Sequence, residues 1–169
     1  MQLKSRLKPG VVQVIAAVVA LLLGVMIYLS SRDPQQVYFL RYIPFFQQGE
    51  SHGPGLISNF FPSLLHTYAF ILLTVAVLAA SLAQTRIICL FWVIIECLFE
   101  AGQHETVANQ ISGQLKVWLA DIPLLQYAQE YFVNGTFDVL DMFAITLGAG
   151  SAYITVMLSY SLFNNFKKA

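Results

Sequence analysis

Four stretches of the chain are long and apolar enough to cross a bilayer, where about 20 predominantly apolar residues are needed. They run Val11–Leu29, Leu64–Ala83, Ile87–Gln103 and Val139–Phe163. The third is short and carries Glu96 and Glu100. The fourth is interrupted only by Asp141 near its start. Gln84-Thr85-Arg86 reads as a very tight turn between the second and third, which makes those two antiparallel neighbours. The pattern predicts an all-α integral membrane protein, a single membrane domain over 1–169 with four transmembrane helices.

Two segments lie between the spans. Arg32–Pro62 holds Pro34, Pro44, Pro54 and Pro62 with Gly49, Gly53 and Gly55, which argues against long regular structure. Its aromatic residues, Tyr38, Phe39, Tyr42, Phe45, Phe46, Phe60 and Phe61, suit a loop in the bilayer interface. In His104–Gly135, the residues Val107, Ile111, Leu115, Trp118, Ile122 and Leu125 recur at steps of three and four. That spacing predicts an amphipathic helix at the membrane interface, with a partner-binding helix as the rival and a break or kink at Pro123.

Composition agrees: 57% of the 169 residues are hydrophobic and 11% are charged, against about 25% in soluble domains. Nine basic and nine acidic residues cancel, so nothing points to nucleic acid. Their positions give a direction. With four spans, Lys4, Arg6, Lys8, Arg86, Lys167 and Lys168 share one side, and Arg32, Arg41 and Lys116 the other. Six against three puts both termini in the cytoplasm. All nine acids then lie on the outer side or in the outer halves of helices. The apolar run after Lys8 is longer than a secretory h-region and reads as a retained anchor. Cys89 and Cys97 sit about 12 Å apart on one helix, too far for a disulfide, and read as free thiols.

Glu96, Glu100 and Gln103 fall at i, i+4 and i+7, on one face of the third span. A carboxyl inside a membrane helix faces protein or water and has a partner. It is either functional or a hydrogen-bonded packing group. Asp138 and Asp141 open the fourth span, where Asp138 can be the N-cap and both acids suit the helix dipole. His66 begins the second span on the outer side. Convergence raises the weight of these six residues. They could bind a metal, perform acid–base work or form a structural network. Metal-ligand spacing such as Cys-x-x-Cys or His-Glu-x-x-His is absent, so no metal site is expected, and no cofactor is indicated. Ala144, Gly148 and Ala152 form a small-residue packing face.

The order Ile43-Pro44-Phe45, His66, Glu100-Ala101-Gly102-Gln103, Phe137-Asp138-Val139-Leu140-Asp141 and Gly148 resembles the VanZ-like family of small bacterial membrane proteins, over about residues 40–160. The family often has Arg where Asn134-Gly135-Thr136 stands, and Asn where Ile145 stands. The stretch between Gln103 and Gly135 is also longer than usual. The resemblance implies a multi-pass protein of the bacterial inner membrane, in a family named for glycopeptide (teicoplanin) resistance.

Two functions are expected about equally. One is a cell-envelope protein whose outer cluster, His66, Glu96, Glu100, Gln103, Asp138 and Asp141, binds a polar or lipid-linked ligand, with or without catalysis. The other is a non-catalytic accessory subunit of a larger membrane complex. A proton-coupled transporter using Glu96 is a weaker third, because no inverted repeat is visible.

Overall fold

The computed structural model describes residues 8–31, 56–118 and 132–168. Five helices account for nearly all of them: α1 (Pro9–Ser31), α2 (Leu56–Leu78), α3 (Leu82–Gly102), α4 (Glu105–Trp118) and α5 (Val139–Lys168). No strand occurs among the described residues. α1, α2, α3 and α5 are long and apolar enough to cross a membrane. Of the expected outer loop 32–62, residues 32–55 lie outside the described residues, as does the segment 119–131 with Pro123; residues 56–62 are helical instead.

Local chemistry sets the helix ends. α1 opens with Pro9, whose missing N–H is no loss at the first helical position. The Lys8 carbonyl accepts from the Val11 and Val12 amides. α2 begins at Leu56, earlier than Leu64, so Pro62 lies inside a helix and not at a loop end. There it withholds one main-chain donor from the turn before it.

The turn between α2 and α3 also differs from the expectation. It falls at Ala79–Ser81, and Gln84, Thr85 and Arg86 belong to the first turns of α3. Ala79 has φ 48°, the left-handed conformation that ends α2. Ser81 is then the N-cap of α3. Its hydroxyl accepts from the Gln84 amide while the Gln84 side chain accepts from the Ser81 amide, a capping box.

α2 is central, packed against α1, α3 and α5. α1 runs antiparallel to it, with Gly10 near the Ala76 carbonyl and Gly24 near Leu65. α3 is antiparallel to both α2 and α5, so α2 and α5 run in the same direction. The core consists of small and aliphatic side chains, including Ala17, Ala69, Ile71, Leu72, Val75, Ala152 and Val156. Buried polar pairs stitch it. Gln13 donates to Ser159 Oγ at 3.0 Å, and the Tyr160 hydroxyl donates to the Ala80 carbonyl at 2.7 Å. The outward faces are strongly apolar, as at Leu22, Met26, Ile87, Leu90 and Leu98, which suits a lipid surround.

α3 and α4 are linked along the chain by Gln103, the C-cap of α3, and His104, whose carbonyl accepts from the Val107 and Ala108 amides. α4 has Glu105 in its first turn and Lys116 in its last, each at its favourable end of the helix dipole.

Candidate functional site

The candidate site is assembled where α3 ends and α5 begins. Asp138 is the N-cap of α5: its Oδ1 accepts from the Leu140 amide at 2.9 Å and its carbonyl from the Asp141 amide at 3.0 Å. Its own amide donates to Glu100 Oε1 at 2.7 Å. Glu100 therefore serves as an acceptor at the positive end of α5, and it is 8% exposed. Asp138 and Asp141 both lie within electrostatic reach of it.

Asp141 stands at the third helical position, facing α2. Ser63 Oγ donates to its Oδ1 at 2.9 Å. One turn along α2, Thr67 Oγ1 lies 2.6 Å from Glu96 Oε2. Two hydroxyls on one face of α2 thus meet one acid from α5 and one from α3. This close approach depends on Gly148 of α5. A Cβ there would collide with the Leu64 carbonyl oxygen and come within 3.2 Å of Thr67 Cβ.

Gln103 lies under Gly135, where any Cβ would overlap its side chain. It forms part of the wall of a groove of about 450 Å³ opening beside the Glu100–Asp138 contact. His104, Glu105, Asn109, Thr136 and Phe137 supply its other polar and aromatic groups, and the His104 and Phe137 rings meet edge to face with centroids 5.8 Å apart. The groove offers amide, imidazole, hydroxyl and carboxylate groups, a mixture of donors and acceptors fit for a polar molecule.

Of the six residues expected to converge, Glu100, Asp138 and Asp141 form one group at the start of α5, and Glu96 reaches the same face of α2 one turn deeper. Gln103 borders the groove. His66 takes a different direction: it is exposed, and its ring packs on Phe70 with centroids 4.1 Å apart. Phe70 in turn packs on Trp92 of α3. Among the described residues, no three His, Cys, Asp or Glu side chains are grouped to hold a metal ion. Cys89 and Cys97 are free thiols.

Sequence reasoning passed over Ser63 and Thr67. Small hydroxyl residues in an apolar helix draw little notice, because they bond to their own backbone four residues back. Their signal was the spacing of four, which puts two hydroxyls on the face that meets α5. His104, Asn109 and Thr136 were also missed, since no pattern in the chain links α4 to the segment before α5. No protein family, curated protein or solved structure matches this chain.

Proposed function

We propose that the protein is a VanZ-like protein of the bacterial inner membrane, with both termini cytoplasmic, whose outer polar site binds a polar or lipid-linked cell-envelope ligand. The observation that carries this reading is the Glu100–Asp138 hydrogen bond. It joins two of the motifs on which the resemblance rests and sets them beside the groove bordered by Gln103. The amphipathic α4 lies on the outer interface in this reading, with the groove open to the headgroup layer.

The test is glycopeptide tolerance in a sensitive bacterial host, with membrane levels measured in parallel. Wild-type protein raises tolerance to teicoplanin, and Asp141→Ala and Gln103→Ala remove the effect while remaining folded in the membrane. Full tolerance in both variants overturns the reading. Orientation is checked with an impermeant maleimide on variants lacking Cys89 and Cys97: a cysteine at Glu105 reacts from outside intact cells and one at Lys8 does not.

The accessory-subunit reading is favoured by one observation. Val117 and Trp118, at the end of α4, are 75% and 73% exposed. Both lie outside the four candidate spans, where a partner subunit would cover them. In that case the protein co-purifies with larger membrane partners in mild detergent. A chain that runs alone under several mild conditions counts against it.

A further inference from the structure

Three threonines in the bundle make the same double contact, and one of them meets an unexpected partner. Thr74 Oγ1 lies 2.8 Å from the Phe70 carbonyl, one turn back, and accepts from the indole N–H of Trp92 at 3.0 Å. Thr155 Oγ1 lies 3.0 Å from the Ser151 carbonyl and 3.1 Å from the Tyr68 hydroxyl. Thr67 Oγ1 lies 2.9 Å from the Ser63 carbonyl and 2.6 Å from Glu96 Oε2. A threonine hydroxyl has one hydrogen. At Thr74 the indole can only donate, so that hydrogen goes to the helix carbonyl. Glu96 follows Trp92 by one turn of α3, and Thr67 precedes Thr74 on α2, so Glu96 occupies the equivalent donor position.

The surroundings of Glu96 fit a donor and not an ion. Its Oε1 is sealed from solvent and has no hydrogen-bond partner. Cys97, next to it on α3, lies within electrostatic reach of Glu96. Glu100 stands one turn along α3, Asp141 is joined to α2 through Ser63, and His66, next to Thr67, packs on Phe70. Among the described residues, the hydrogen-bond partner of Glu96 is the Thr67 hydroxyl. An ionised carboxylate there would have one shared hydroxyl hydrogen at Oε2 and no donor at the buried Oε1, which is unfavourable in a membrane interior.

We propose that Glu96 holds a proton in the resting protein and, as a neutral carboxylic acid, donates it to Thr67 Oγ1, so that Thr67 donates in turn to the Ser63 carbonyl. The site is a proton-binding site between α2 and α3, independent of any ligand in the groove.

Infrared spectroscopy of the full chain in lipid nanodiscs at neutral pH tests this, using protein labelled with ¹³C-glutamate. The expected result is a protonated-carboxyl C=O band that moves with the ¹³C label and in D2O. Glu96→Gln, which keeps an N–H donor, removes the band and leaves the melting temperature unchanged. Thr67→Val shifts the band by removing its acceptor, a readout that holds if Glu96→Gln fails to fold. Absence of a protonated-glutamate band at neutral pH, its survival in folded Glu96→Gln, or its indifference to Thr67→Val overturns the proposal.

Discussion

The Asp138 amide donates to Glu100 Oε1 at 2.7 Å, so the last turn of α3 provides the acceptor for the residue that caps α5. Two helix ends are held by one carboxylate. Hydrogen bonds to a charged group contribute about 1.5–3 kcal/mol. Glu100→Ala is therefore expected to cost about 2 kcal/mol. Glu100→Gln, which retains a carbonyl acceptor, should cost about half of that. Thermal unfolding in detergent, followed by circular dichroism, reads the difference. Equal melting temperatures for wild type and Glu100→Ala would remove Glu100 from this role.

Gly148 and Gly150 lie on one helix and should respond in opposite directions. A Cβ at 148 meets the Leu64 carbonyl and Thr67, whereas a Cβ at 150 meets nothing within 4 Å. Overpacking costs about 1–3 kcal/mol, so Gly148→Ala lowers the melting temperature. Gly150→Ala gains up to about 1 kcal/mol of helix propensity. Equal behaviour of the two variants would mean that α2 and α5 are not in close contact at Gly148.

Gln13 tests packing against hydrogen bonding. It is 1% exposed and donates to Ser159, which itself donates to the Val156 carbonyl at 2.7 Å. Interhelical hydrogen bonds in membranes average about 0.6 kcal/mol. Gln13→Leu, which keeps the volume, is expected to change stability by less than about 1 kcal/mol. Gln13→Ala leaves a cavity and should cost about 2 kcal/mol or more. Chemical denaturation in mixed micelles distinguishes them. A loss in Gln13→Leu as large as that in Gln13→Ala would mean that the hydrogen bond outweighs packing at this position.

Ser81→Ala removes the accepting half of the capping box and should cost about 1 kcal/mol. Amide hydrogen exchange localises the effect. The Gln84 amide loses protection while amides near Glu100 keep theirs. Uniform loss along α3 would show that the cap stabilises the helix as a whole.

Much of the architecture was legible in the chain, because a bilayer imposes length and apolarity on any spanning helix. The four spans follow from that constraint alone. Boundaries were less legible. Leu78-Ala79-Ala80 continues an apolar run without Gly or Pro, so the pattern points to a turn only at the first charged residue, Arg86. The signal that locates it is Ser81 followed three residues later by Gln84, a polar pair inside an otherwise greasy sequence. Pro62 misleads in the other direction, since proline inside a membrane helix is tolerated where neighbours re-satisfy the backbone.

The site was legible in part for a similar reason. Asp138 and Asp141 could be placed because helix starts have a known chemistry. The direction of His66 could not, since one residue of rotation on α2 separates the acid-facing Thr67 from the aromatic stripe of His66 and Phe70. Which face meets which neighbour is decided by packing, at Gly148 above all, and a single sequence carries little of that information.

The Tyr160 hydroxyl bonds to the Ala80 carbonyl in the α2–α3 turn. The hairpin is synthesised well before Tyr160 leaves the ribosome. Until α5 arrives, that carbonyl lacks its tyrosine donor. The last helix therefore acts as a latch: its arrival supplies the missing donor and fastens the turn of the hairpin. A chain shortened before Tyr160 would leave the α2–α3 turn unfastened.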